Sequence, residues 1–350
     1  MKQPKITLLM CTHNGERTIQ QALEAIANQA DIPRDCFEVL VIDNASSDHT
    51  SEIAAAVIER LSLNGRILLE PRVGKINALL KGVREAQGSL ISIIDDDNFI
   101  EPGFIRYTLQ LFDQYPKIGM TGSLNHVFID EPVPLWFDWV GGRYGCSQPL
   151  FDEIEEQLPN GIIVAKTAVI AGAGSTFLAQ PVKHCLDKGY KFFNDTQRGK
   201  KMKVTGEDLE LCWLVRSLGY HFAFNPNIQV RHAIKVERLS LEKFEILCKT
   251  IGAGSLGVDP FMFTQRHQDD KFPLQWTWQW QFVSKLKRYF YLVTSHSFKF
   301  KTLDEKQKFL NWRDRIECLG AIQRILIERE NYTQHIRQVA IGEWTELRVR

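Results

Sequence analysis

Leu90-Ile91-Ser92-Ile93-Ile94-Asp95-Asp96-Asp97-Asn98 places a short, almost wholly apolar run directly before three consecutive carboxylates. A run this short, with no polar alternation, reads as a strand covered on both faces. The pattern recurs upstream. Ile6-Thr7-Leu8-Leu9-Met10 and Phe37-Glu38-Val39-Leu40-Val41-Ile42 read as strands, and Arg66 to Glu70 as another. Amphipathic stretches of helical length separate them, at Thr18 to Ala30, Ser51 to Leu61 and Lys75 to Ala86, and a further helix opens near Pro102. This alternation predicts an α/β fold, a mostly parallel central sheet flanked by helices.

Sheets of this kind bind ligands at the carboxyl edge of their strands. Three stretches should line that rim: Cys11-Thr12-His13-Asn14-Gly15-Glu16, Asp43-Asn44-Ala45-Ser46-Ser47-Asp48 and Asp95-Asp96-Asp97-Asn98. Three adjacent carboxylates repel one another unless a cation sits among them. Hard oxygen ligands on a rigid strand end suit Mg²⁺ or Mn²⁺, ions that also bridge nucleotide phosphates. A solvated turn with Asn98 capping the next element is the plainer alternative. Asp43 suits a ribose hydroxyl or base edge, and equally an Asx-turn.

Downstream, Glu131 to Gln157 mixes Trp136, Trp139 and Tyr144 with prolines and glycines, and is expected to be irregular. Order resumes at Ala171-Gly172-Ala173-Gly174-Ser175-Thr176-Phe177-Leu178, with a helix after Pro181, followed by a basic, loop-like stretch from Lys191 to Lys203. Glu207 to Leu218 has helical period and ends at Gly219. Paired acids Glu207 and Asp208 open that helix, where the dipole favours an ionised carboxylate able to take a proton. An ordinary charge preference of helix starts would place acids there too. His232 follows the strand Asn227-Ile228-Gln229-Val230, a position where a histidine is usually a satisfied structural group.

Composition is that of an ordinary globular chain. The 43 Lys and Arg nearly cancel the 42 Asp and Glu, leaving a formal charge of +1, which argues against a nucleic acid partner held by bulk charge. Seven cysteines, an odd number with no C-x-x-C pair, suit a reduced, cytoplasmic setting better than a disulfide framework. Met1-Lys2-Gln3-Pro4-Lys5 leads straight into the first strand and is not expected to act as a signal peptide. No apolar run is long enough to predict a transmembrane helix. Beyond residue 235 the character turns mainly helical, so the expected division is 1–235 and 236–350. There Trp276, Trp278, Trp280, Phe282, Tyr289, Phe290 and Tyr291 are interleaved with Lys285, Lys287 and Arg288. Those aromatics either pack against the first region or rest on a membrane surface as a peripheral contact.

Taken in order, Thr7 to Glu16, Val41 to Asp48, Ile94 to Asn98 with Pro102, and Gly206-Glu207-Asp208-Leu209-Glu210 resemble family 2 of the glycosyltransferases, which share the GT-A fold. The resemblance runs from Lys5 to about Ile234. It implies transfer of a sugar from a nucleotide-sugar donor, a UDP-sugar in most members, to a saccharide or lipid-linked saccharide acceptor. It further implies that Thr12, Asn14 and Glu16 contact the nucleotide and that Asp43 binds its base. Asp95 and Asp97 look like the outer acids of the D-x-D motif. Asp97 would ligate Mn²⁺ or Mg²⁺, with Asp95 or Asp96 holding ribose or phosphate, and His232 matches a histidine that completes the metal site in some members. Lys75 looks like the basic residue near the nucleotide, and Asp208, beside Glu207, like the catalytic base. The chain departs from the family at Leu80, where relatives carry Asn, and at Gln180, where many carry Arg; both bear on the donor-sugar and acceptor contacts. Alternatives are a sugar nucleotidyltransferase, whose Gly-rich, Arg-Lys-bearing first loop is missing here, and a catalytically silent partner in a polysaccharide assembly complex.

Overall fold

The computed structural model describes residues 3–194, 202, 204–264, 273–299 and 303–347. Its first half is the alternation read above: β1 (Ile6–Thr12), α1 (Ile19–Ala27), β2 (Phe37–Asp43), α2 (Thr50–Arg60), β3 (Gly65–Leu69), α3 (Lys75–Glu85) and β4 (Leu90–Ile93). These strands pair in parallel in the order β3-β2-β1-β4. Successive side chains of a strand point to opposite faces, and in β1, β2 and β4 both faces are buried. Leu8, Met10, Val39 and Val41 join one core with Ile19, Leu23 and Ile26 of α1. Leu9, Leu40 and Ile42 join the other with Ile76, Leu79 and Val83 of α3. That is why these strands are apolar without alternation.

The second half comprises β5 (Asn98–Ile100), α4 (Phe104–Gln114), β6 (Ile118–Phe128), β7 (Leu150–Gln157), β8 (Ile163–Val169), β9 (Thr176–Leu178), α5 (Ala179–Asp187), α6 (Glu207–Ser217) and β10 (His221–Ala233). The sheet continues β9-β6-β10-β8-β7, with β5 against β10 off the main path. β9 is antiparallel to both β4 and β6, and β8 to both β10 and β7. The sheet is therefore mixed, parallel in its first half and carrying antiparallel insertions in its second.

The segment up to Gln157 is more ordered than its sequence suggested. Short 3₁₀ turns cover Leu135–Trp139 and Gly141–Tyr144, and Leu150 onward is an edge strand. Its side chains are mostly exposed and acidic, so it lacks the apolar pattern of a covered strand. Glu153 pairs with Arg216 at 3.1 Å and Glu155 with Lys166 at 3.4 Å, charges of the kind that blunt an open sheet edge.

Three helices follow: α7 (Leu241–Thr264), α8 (Trp278–Lys299) and α9 (Glu305–Ile341). Asp304 opens α9 with a capping box, its carboxylate accepting from Gln307 N–H at 2.7 Å while the Gln307 side chain accepts from Asp304 N–H. Among the described residues no helix is long and apolar enough to cross a membrane.

Candidate active site

Register brings the site together. β1 and β2 pair with Thr12 opposite Asp43, and Ile94 N–H reaches Leu9 C=O at 2.9 Å, so three strand ends finish at one edge. There a cleft of about 840 Å³ opens, lined by Thr12, Lys75, Asp95, Asp96, Asp97, Glu207, Asp208 and His232 among others. Gly15 is what lets the first rim loop lie against the acids: a Cβ there would overlap the Asp96 carboxylate and the Thr12 hydroxyl.

Each acid of the triplet has a different partner. Asp95 Oδ2 accepts from Lys75 Nζ at 2.9 Å, while its Oδ1 is a buried oxygen with no hydrogen-bond partner. Asp96 accepts from the Thr12 hydroxyl. Burial, reinforced by the charges of Asp97 and Asp95, pushes the Asp96 carboxyl up to about 6. Asp97 Oδ1 accepts from Asn98 Nδ2 at 3.0 Å and faces His232 Nε2 at 3.6 Å. Burial would raise Asp97, but His232 outweighs it and holds this carboxyl below its usual range. Burial would likewise lower His232; Asp97 and the Cys146 thiol, 3.8 Å from Nδ1, raise it to about 10.

These residues fit a divalent cation in part. Asp97 and His232 point at one another, and the unpartnered Asp95 Oδ1 lies in the same acid run. Among the described residues no group of three or more His, Cys, Asp or Glu side chains encloses an ion. The remaining ligands would come from donor phosphates and water, as is usual for Mg²⁺ sites.

The start of α6 lines the same cleft. Asp208 Oδ2 accepts from Gly172 N–H at 2.8 Å and Oδ1 from Leu209 N–H at 2.9 Å, which fixes the carboxylate at the cleft wall. Glu207 is buried, and burial raises its carboxyl even though Lys75 Nζ lies 3.9 Å away. Lys75 thus sits between Asp95 and Glu207. Burial would lower its ammonium, but the two carboxylates raise it and keep it charged.

A third acid of α6 anchors the helix from behind. Glu210 is fully buried and accepts from Tyr190 OH, Phe193 N–H and Asn194 N–H, each at 2.8 Å. Asn194 in turn accepts from Arg324 of α9 at 2.7 Å, and Arg324 also donates to Phe193 C=O at 2.6 Å and Ala253 C=O at 2.9 Å. Burial pushes Glu210 up to about 7 against the pull of those hydrogen bonds.

The other expected residues stand beside the lining of the cleft rather than in it. Asn14 and Glu16 are exposed on the rim, tied to the second loop through Ser47 N–H at 2.8 Å and His49 N–H at 3.3 Å. Asp43 is buried behind them, accepting from Ser46 N–H at 2.9 Å and the Ser51 hydroxyl, so the Asx-type turn is formed. Leu80 packs into the core around Leu9 and Leu40, and Gln180 lines a separate cleft of about 770 Å³ beside Glu38 and Arg66. Neither is among the residues that line the cleft at the acids. Trp136 and Trp139 pack against Phe309 instead, whereas Arg143, Tyr144 and Gly145 line the cleft. Of the basic stretch expected near the donor, residues 195–201 and Lys203 lie outside the described residues. Cys146, Arg143 and Arg238 went unread because nothing local marks them; they meet the site only through the fold.

Residues 7–170 match the family described as "Glycosyl transferase family 2". That match takes in a little under half of the chain. It is 33% identical over 238 residues to the probable glycosyltransferase YdaM of Bacillus subtilis (strain 168), a match covering 64% of this chain and 49% of YdaM. The chain thus spans about half the length of that relative. Its fold resembles the mannosyltransferase PcManGT from Pyrobaculum calidifontis in complex with GDP-Man and Mn²⁺, at a TM-score of 0.52 and 16% identity, over 98% of this chain and 88% of that one. It also resembles GalNAc-T7 with UDP, GalNAc and Mn²⁺, at a TM-score of 0.52 and 16% identity, over 75% and 51% of the two chains. The architecture is GT-A.

Proposed function

We propose that this chain transfers a sugar from a nucleotide-sugar donor, preferentially a UDP-sugar, to an acceptor hydroxyl with inversion at the anomeric carbon. The observation that supports the reading is that Asp208, held by Gly172 N–H, lines one cleft with Asp95, Asp97 and Lys75. Two solved relatives in fold, one bearing UDP and one GDP-Man, both contain Mn²⁺, which supports a nucleotide and a cation at this sheet edge.

On this reading the acceptor oxygen attacks the anomeric carbon as Asp208 takes its proton. The bond from that carbon to the diphosphate oxygen breaks, and its electron pair leaves with the nucleoside diphosphate. Lys75 offsets the negative charge that builds on the departing group. A divalent cation held by Asp97 and His232 would supply further charge neutralisation there. Asp43 keeps carboxylate lone pairs beyond those used by Ser46 and Ser51, enough to accept from a uracil edge.

Asp208→Asn tests the reading. Transfer from UDP-sugars in the presence of Mn²⁺ should fall by at least a hundredfold, as general-base losses do, while UDP binding by calorimetry is kept. Near-normal turnover in the variant would overturn the base assignment. Failure of the unaltered chain to bind any nucleotide with Mn²⁺ would overturn the transfer reading itself.

A further inference from the structure

From Leu274 to Lys299 the chain carries no Asp or Glu, but holds Lys285, Lys287, Arg288 and Lys299, in a protein whose overall formal charge is only +1. α8 spends its aromatic residues on two faces. The inner face packs: Trp278 and Phe282 lie against the cluster of Phe193, Trp276 and Tyr332, and Lys285 Nζ pairs with Asp259 of α7 at 2.7 Å. The outer face has Trp280 45% exposed, Val283 42%, Phe290 59% and Tyr291 67%, with Lys287 and Arg288 exposed among them. Positions 280, 283, 287, 290 and 291 follow helical spacing and form one stripe.

We propose that this outer face of α8 docks on an anionic lipid surface. Trp and Tyr favour the headgroup layer, where an amphipathic ring has both an apolar body and a polar edge satisfied. Lys287 and Arg288 supply the attraction to anionic headgroups that an apolar stripe alone would lack. A second copy of the chain is a poor occupant, because the two faces would set these cations against their own kind with no acid of α8 to offset them. α7 carries Leu247 and Ile251 at the cleft wall and is tied to α8 by the Asp259–Lys285 pair, so docking would hold the cleft near the bilayer. The inference is independent of which sugar, if any, is transferred.

Flotation of the full chain with vesicles, without nucleotide or metal, tests it. Binding is expected to vesicles of phosphatidylcholine mixed with phosphatidylglycerol at low salt, to weaken as salt is added, and to be negligible with phosphatidylcholine alone. Replacing Lys287→Gln and Arg288→Gln together should weaken binding about thirtyfold, roughly fivefold per charge. Trp280→Ser with Tyr291→Ser should weaken it by a separate, salt-insensitive factor. Both pairs lie on an exposed face, so far-ultraviolet circular dichroism should be unchanged. No binding to the anionic vesicles at low salt, or equal binding by all the variants, would overturn the proposal. So would a lipid-free dimer abolished by Trp280→Ser. Turnover on a soluble acceptor is a separate readout that bears on the proposed function alone.

Discussion

His232 Nε2 stands 3.6 Å from Asp97 Oδ1 because β5 and β10 pair antiparallel with Asn98 opposite His232. The two side chains come from positions far apart in the chain and meet only through this short strand pair. The Asp97 carboxylate, with the Cys146 thiol, outweighs the effect of burial and raises the imidazole to about 10, so the ring holds its proton beside an ionised acid. That contribution to stability is fully present below the ordinary histidine value near 6.5 and is lost as pH rises through about 10. A ring that ligates a metal must first release that proton. The apparent affinity for Mn²⁺ should therefore rise about tenfold per pH unit across the neutral range, read by calorimetry in two buffers of different ionisation heat. His232→Gln should remove the slope. A pH-independent affinity in the unaltered chain would exclude His232 as a ligand.

Lys75 holds Asp95 and Glu207 apart from direct repulsion. Its removal as Lys75→Met leaves two carboxylates without their cation, and should lower stability by about 1–3 kcal/mol, below the full cost of breaking a buried pair because the lysine keeps 35% exposure. Glu207→Gln in the same background should recover part of the loss, so that the double variant is more stable than the sum of the singles predicts. Thermal melts of the four proteins measure the coupling. Strict additivity would mean that Lys75 and Glu207 do not interact.

Glu210 makes stability depend on pH in the opposite sense to a salt-bridged carboxylate. Its folded value, about 7, lies above the ordinary glutamate value, so the native chain binds the extra proton between roughly pH 4.5 and 7. Stability from this group is fully present below that window, declines as pH rises through it, and stays lower above it. The full effect is on the order of 3 kcal/mol at most. Glu210→Gln should flatten the dependence of melting temperature on pH between 5 and 7. An unchanged profile would place that proton elsewhere.

Much of this was legible in the sequence, for a definite reason. β1, β2 and β4 are covered on both faces, so they had to be apolar throughout, and parallel in-register pairing then forces their carboxyl ends to one edge. Thr12, Lys75, Asp95, Asp96, Asp97, Glu207, Asp208 and His232 were expected near one another and all line one cleft. β7 was not legible, because an edge strand defended by Glu153 and Glu155 shows none of the hydrophobic alternation that marks a strand. Cys146 beside His232 and Arg324 beside Asn194 are separated by 86 and 130 residues, and no local spacing encodes such meetings. Trp278 and Trp280 of α8 divide between interior and surface, because a helix sends residues two apart to different faces, whereas Trp276 sits buried in the 3₁₀ turn before it.

Arg324 has an evolutionary consequence. Its guanidinium satisfies carbonyls of Phe193 and Ala253 and the side chain of Asn194, and the backbone N–H of Asn194 donates to the buried Glu210, two residues beyond Asp208. Arg324 and Asn194 are tied to one another: changing Asn194 costs Arg324 one buried acceptor, and changing Arg324 strands the Asn194 amide oxygen and two carbonyls. Homologues should therefore exchange positions 194 and 324 as a pair, and because the Asn194 amide also donates to Gly206 C=O at the start of α6, a graft of this α6 onto a related chain would have to bring α9 with it.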